Sequence, residues 1–172
     1  MYAFEKSIRT IPDFPSPGVH FKDINPLLQE PAHFSEAIAA FEERYKDQSI
    51  DVIIGIESRG FIFASALAYA LHCGLALVRK PGKLPGEIHT ISYELEYGKD
   101  QLEIQKEALQ NGTRVLLIDD VLATGGTMQA TRALLDRHFN IELISAAFLI
   151  ELTFLNGRER LENLPIESLI RY

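Results

Sequence analysis

The chain has a single cysteine, Cys73, among 172 residues. A disulfide framework is therefore excluded and a reducing, cytoplasmic setting is expected. Cys73 itself reads as a small buried apolar residue. Positive charge is also short, with 17 lysines and arginines against 24 aspartates and glutamates and a net charge of −7. That balance argues against nucleic acid as a partner. It also means that an anionic substrate would need a local basic patch. No apolar run reaches the length of a membrane span. The start, MYAFEKSIRT, lacks the apolar centre of a signal peptide, so no membrane association is expected. Repeats and low-complexity segments are absent. GxxxxGK[ST] is missing, which removes the P-loop, and no GxGxxG follows a strand, which leaves a dinucleotide fold unsupported.

What remains is a chain of ordinary size, 47% hydrophobic, expected to form one domain over residues 1–172. Its most informative stretch is RVLLIDDVLATGGTMQATRALL, Arg114 to Leu135. Val115 to Ile118 is a short apolar run suited to a strand buried on both faces, as in a parallel sheet. Asp119 and Asp120 follow at its end. Next comes a small-residue loop, Ala123, Thr124, Gly125, Gly126 and Thr127. Met128, Thr131, Leu134 and Leu135 then recur at helical spacing. Unpaired N–H groups at a helix start carry partial positive charge and receive phosphate. Gly125 and Gly126 permit close approach, and Thr124 and Thr127 add hydroxyls, Thr127 as a possible cap. The two aspartates repel a phosphate but can accept hydrogen bonds from sugar hydroxyls beside it. The string thus looks built for a phosphorylated sugar. The loop alone would also fit a plain helix cap.

Three further stretches add to this. Asp51 to Ile56 is a second buried strand, running through Glu57-Ser58-Arg59-Gly60 into a helix from Phe61 to Leu71. The loop is either an ordinary connection or an anion clamp, in which Ser58 and Arg59 N–H groups and the guanidinium hold oxygens. Leu75 to Val78 is a third strand, followed by RKPGKLPG, which gathers Arg79, Lys80 and Lys83 into the missing basic patch. His89 to Tyr97 alternates like a strand, Gly98 to Asp100 reads as a turn, and Gln101 to Ile104 returns. Residues 11–28, with Pro12, Pro15, Pro17 and Pro26, are expected to be irregular. Pro31 to Lys46 reads as an amphipathic helix. Strands at 51–56, 75–78, 115–118 and 141–150 alternating with helices predict an α/β domain with a mainly parallel sheet, ligands at the strands' carboxyl ends.

IDDVLATGGT resembles the phosphoribosyl-pyrophosphate (PRPP) motif of type I phosphoribosyltransferases. DFPSPGVHFKDINPLL, ESRGF, RKPGKLPG and SYELEYGKDQLEIQKEAL are similar to segments of the adenine-using members of that family. The resemblance implies an N-terminal hood at about 11–30 and a hairpin lid at about 88–105. It implies that Phe21 stacks on the purine while backbone groups of His20 and Lys22 read its edge. Ser58, Arg59, Lys80 and Lys83 would serve pyrophosphate. Arg79 would reach the neighbouring subunit's site, hence a homodimer. Asp119 and Asp120 would hold the ribose, residues 123–127 the 5′-phosphate, and Glu96 and Tyr97 would stand at the reaction centre, Glu96 as the catalytic acid–base. Mg²⁺ would arrive on PRPP rather than on a protein cage. The Glu57–Ser58 peptide is expected to be cis. The implied activity joins adenine and PRPP into AMP and pyrophosphate, in purine salvage. Two rivals stay open, a different base and a catalytically silent PRPP or purine sensor.

Overall fold

A computed structural model of the chain describes residues 2–95 and 98–172. After a 3-10 turn at Ala3–Ser7, strand β1 (Arg9–Ile11) pairs antiparallel with β2 (Phe21–Asp23). The stretch expected to be irregular is so only between these strands, where Pro12, Pro15 and Pro17 remove no ladder donor. A short helix, α1 (Asn25–Gln29), follows with Pro26 in its first turn, and α2 (Pro31–Tyr45) starts on Pro31 as expected. Then come β3 (Val52–Ile56), α3 (Gly60–Leu71) and β4 (Gly74–Val78). A hairpin of β5 (Ile88–Leu95) and β6 (Gly98–Gln105) precedes β7 (Arg114–Leu122), α4 (Gly126–His138) and β8 (Glu142–Glu151). Two 3-10 turns, Thr153–Leu155 and Gly157–Leu161, lead to β9 (Ile166–Arg171).

Five strands form one parallel sheet in the order β4-β3-β7-β8-β9. Chain direction across the sheet reverses between β3 and β7. In open α/β sheets the crevice at such a switch point, outside the strands' carboxyl ends, is where ligands bind. Alternation along the strands explains why both faces are covered. Ile53, Leu116 and Ile118 face α2 and α3 with Phe41 and Phe63. Ile54, Ile56, Val115 and Leu117 face the other layer, with Leu134 and Leu135 of α4 and Leu102 and Ile104 of the hairpin. All of these are fully buried. Leu117→Ala in such a place should cost about 2–5 kcal/mol. The buried Tyr45 hydroxyl is not stranded, because it meets Ser145 Oγ at 3.1 Å. Burial pushes its pKa up to about 12.

Several boundaries differ from the sequence expectation. β7 does not stop at Ile118 but continues through both aspartates, because β8 stays in register beside it, Asp119 opposite Phe148 and Leu122 opposite Glu151. Gly98 to Asp100 are strand residues paired with Leu95 to Tyr93, not a turn. β9 was not anticipated: its polar Glu167-Ser168 break hides a strand whose Leu169 and Ile170 are buried.

Candidate active site

The carboxyl ends of β3 and β7 bring the two glycine-bearing loops side by side. After β7, residues Ala123 to Met128 line a cleft of about 80 Å³ together with Asp119, Leu122 and Phe148. That is room for a small polar group, not a whole nucleotide. Gly125 sits at the helix N-cap in the left-handed region, φ 80°, where a side chain is strained. It starts α4 two residues earlier than the apolar spacing suggested. Thr127 therefore lies inside the first turn and does not cap the helix; its Oγ1 is 3.5 Å from the Tyr93 hydroxyl. The N–H groups of Thr124 to Met128 donate to no acceptor among the described residues. A row of unpaired donors at the positive end of a helix is an anion receptor.

Asp119 borders that cleft, and its Oδ1 accepts the Asp120 N–H at 2.8 Å. Burial, reinforced by the neighbouring Asp120 charge, raises the Asp119 carboxyl well above its usual range. Burial raises Asp120 as well, against the pull of Arg59. Arg59 Nη2 lies 2.8 Å from Asp120 Oδ2. That oxygen is buried and accepts no directed hydrogen bond among the described residues. It is thus charge-paired but still has lone pairs to offer.

The same Arg59 reaches the hood. Its guanidinium lies over the Phe21 ring at 4.9 Å, and Nη1 approaches the Lys22 carbonyl at 3.5 Å. Phe14 packs edge-on against Phe21 at 5.1 Å. The Lys22 ammonium points elsewhere, over the Tyr172 ring at 3.6 Å, which leaves only its backbone toward Arg59. The His20 side chain is exposed and makes no hydrogen bond among the described residues. The β1–β2 pair that carries Phe21 is fastened by Arg9, whose Nε meets Asp23 Oδ2 at 3.1 Å.

The β3–α3 loop contains the cis peptide between Glu57 and Ser58 that the resemblance implied. Ser58, Arg59 and Gly60 N–H groups again have no acceptor among the described residues. Glu57 instead organises the basic patch. Its carboxylate meets Lys83, accepts the Lys80 N–H at 2.9 Å and meets Arg79 Nε at 3.3 Å. Burial works against its charge, yet these partners hold its pKa down to about 2. Lys80 contacts Asp100 and stands 3.4 Å from the Tyr93 hydroxyl, which donates to Asp100 at 3.1 Å. Arg79 is bridged by its backbone to Glu103, fixing the base of the hairpin.

The structure therefore gathers Phe21, Lys22, Ser58, Arg59, Asp119, Asp120 and residues 123–127 around one crevice, with Arg79, Lys80 and Lys83 on its flank. Glu96 and Tyr97 lie outside the described residues. Sequence reasoning gave no role to Glu57, Tyr93 or Asp100. Glu57 carried a signal, a carboxylate at a buried strand's end ahead of a basic turn. Among the described residues no group of three or more His, Cys, Asp or Glu side chains could hold a metal ion.

A parallel α/β sheet with a phosphate-type loop after an acidic strand defines the class. Residues 23–163 match the phosphoribosyl transferase domain, and the chain belongs to that family. Its relatives of about 50% identity include adenine phosphoribosyltransferases. The chain is 54% identical over 165 residues to the adenine phosphoribosyltransferase of Chloroflexus aurantiacus, covering 96% of this chain and 95% of that one. Its fold is similar to that of the Thermoanaerobacter pseudethanolicus adenine phosphoribosyltransferase, with a TM-score of 0.94, 46% identity and 98% of each chain covered. The Saccharomyces cerevisiae enzyme, solved with D-2,5-dideoxy-2,5-imino-altritol 1,6-bisphosphate and adenine, superposes with a TM-score of 0.91 at 42% identity over 96% of each chain. No helix among the described residues is long and apolar enough to cross a membrane.

Proposed function

We propose that the protein, as one phosphoribosyltransferase domain, transfers the 5-phosphoribosyl group of PRPP to adenine, giving AMP and pyrophosphate in purine salvage. The observation that carries the reading is the row of unpaired N–H groups over 124–128, set beside the Asp119–Asp120 pair at the sheet's switch point. In this reading the loop takes the 5′-phosphate and the aspartates take the ribose hydroxyls. Fixing the sugar at both ends aims C1′ at the base, and positioning of this kind supplies a large part of the rate.

The bond from C1′ to the pyrophosphate oxygen breaks, and a bond from C1′ to the adenine nitrogen forms. Positive charge develops on the sugar and negative charge on the leaving oxygens. Ser58 and Arg59, Lys80 and Lys83 answer the latter. Glu96 takes the proton that the base nitrogen loses. Mg²⁺ enters as cargo of PRPP, a hard cation held chiefly by substrate oxygens; it neutralises part of the pyrophosphate charge. Two adjacent carboxylates, with no third close by among the described residues, suit a cation brought by the substrate.

Phe21 stacks on adenine, and the backbone of His20 and Lys22 reads its edge. This is supported by the way the Lys22 side chain is engaged away from the crevice. The hairpin closes over the site as a lid carrying Tyr97 as well as Glu96. The protein acts as a homodimer in which Arg79 serves the partner's site; association, though not the role of Arg79, is supported by an apolar face on α2 and α3, where Phe34, Ile38 and Ile62 surround a Tyr69 that is 83% exposed. The single Cys73 suits a cytoplasmic enzyme.

A base panel tests the reading. Pyrophosphate release from PRPP should be rapid with adenine and weaker by about 10⁴ with hypoxanthine, which inverts the donor–acceptor pattern at the edge being read. Equal kcat/KM for the two bases, or a preference for guanine or orotate, would show the hood to be misassigned. PRPP binding without turnover would favour a sensor.

A further inference from the structure

Gly157 belongs to neither the strand nor the helix of the phosphate loop, yet it forms that loop's back wall. β8 accompanies β7 to its end, Glu151 opposite Leu122, and the Leu152 N–H then donates to the Leu122 carbonyl at 2.9 Å. The chain turns through Thr153–Leu155, and Asn156, left-handed at φ 52°, delivers Gly157 onto the loop. A Cβ on Gly157 would lie 2.2 Å from the Ala123 carbonyl oxygen and 3.1 Å from the Gly125 nitrogen. Conversely, a Cβ on Gly125 would lie 2.5 Å from the Gly157 carbonyl oxygen. The φ of Gly157 is not in the left-handed region, so space rather than torsion demands glycine there.

The next residue holds this contact in place. Arg158 grips Glu151 with two bonds, Nε to Oε1 at 2.6 Å and Nη2 to Oε2 at 2.8 Å, and gives Nη1 to the Ile166 carbonyl at 3.1 Å. Glu151 is only 4% exposed while Arg158 is half-buried, and the two-bond geometry makes the pair specific. The clamp thus joins the end of β8, the start of β9 and the wall behind residues 123–125.

We infer that Gly157, held by the Arg158–Glu151 pair, is a positioning residue that fixes the Ala123–Gly125 backbone and so sets the affinity for the substrate's 5′-phosphate. Its backbone lies against Ala123 and Gly125 without lining the cleft itself, so a side chain there displaces the loop. The donors of residues 124–128 then no longer converge on one phosphate. The inference rests on the phosphoribosyl reading above.

The test compares the parent with Gly157→Ala and Arg158→Lys. Mg–PRPP binding is measured by calorimetry, KM for PRPP and for adenine by steady-state kinetics, and folding by thermal melting. Gly157→Ala should raise the PRPP Kd and KM by about tenfold to a hundredfold, the size of effect a misplacement near 1 Å produces. The adenine KM should stay within about twofold, since the hood is untouched. Arg158→Lys keeps the glycine and the charge but loses the two-bond grip. It should weaken PRPP alone by about threefold to tenfold. If the variants bind PRPP like the parent, or lose PRPP and adenine affinity together in step with their folded fraction, the inference is overturned. Should Gly157→Ala fail to fold, Arg158→Lys decides by the same criteria. A parent that binds no PRPP would overturn the phosphoribosyl reading and this inference with it.

Discussion

Gly60 and Asp119 approach so closely that a Cβ on the glycine would lie 2.8 Å from Asp119 Oδ1, and 2.9 Å from the Ile118 carbonyl oxygen. Helix α3 can start beside the end of β7 only because Gly60 has no side chain. The contact ties the loop after β3 to the acidic pair on β7, so the two halves of the crevice share one wall.

Gly60→Ala should therefore push Asp119 aside. The overpacking should cost about 1–3 kcal/mol of stability, and the PRPP KM should rise by about tenfold or more. Melting curves and PRPP kinetics check both. A variant as stable and as active as the parent would mean that the helix start can shift freely, and the shared wall would have no role.

Glu57 gives a pH signature. Its folded pKa of about 2 lies below the ordinary value of 4.5, so its stabilisation is fully present above the unfolded pKa. It is lost as pH falls through the folded value. Glu57→Gln should lower the melting temperature at neutral pH, by leaving Lys83 and Arg79 without their carboxylate. The gap between parent and variant should narrow steadily from about pH 5 to pH 2. A gap that stays constant over that range would show that charge on Glu57 is not what holds the basic patch.

Much of this site is contiguous in the chain, and that is why it could be read. Asp119 to Thr127 puts acids, glycines and a helix start within one short string, and β-branched runs mark β3 and β7. The rest depends on distance in sequence. Gly157 is required by the space left beside Ala123, a condition no local pattern announces. Asp100 was expected in a turn, but pairing with Tyr93 draws it into β6 and onto Lys80. The apolar run ends before the acids, yet they lie within β7, because only the register with β8 reveals how far the strand runs. The local pattern assigns Gly125 one duty, the close approach of a phosphate. The structure shows that its missing side chain serves the fit to Gly157 as much as the approach of a phosphate.

In the proposed lid segment two carboxylates stand two residues apart in sequence, Glu94 and Glu96. The base nitrogen grows acidic as its bond to C1′ forms, so a carboxylate with an ordinary pKa near 4.3 becomes an adequate base late in the reaction. Glu96→Gln should lower kcat by about tenfold or more with PRPP affinity little changed. Glu94→Gln should do much less. If the Glu94 change were the damaging one, the assignment along the hairpin would be out of step.

The acidic pair should also report ligand binding as proton release. Burial and the neighbouring Asp120 charge keep the Asp119 carboxyl raised, and burial lifts Asp120 against the pull of Arg59. A raised folded pKa means that folding takes up protons, so in the free protein this pair contributes less stability as pH rises. Ribose hydroxyls donate hydrogen bonds, and a carboxylate accepts them better than a carboxylic acid does. Binding PRPP should therefore favour the ionised pair and expel a proton, and affinity should climb with pH until the pair is already ionised. Calorimetry in two buffers of different ionisation enthalpy measures the release. PRPP has titrating phosphates of its own, so the informative quantity is the difference between the parent and Asp119→Asn. The variant should bind more weakly, release fewer protons and lose most of the rise in affinity with pH. Equal proton release from both proteins would place the titration on the ligand and remove Asp119 from the ribose site.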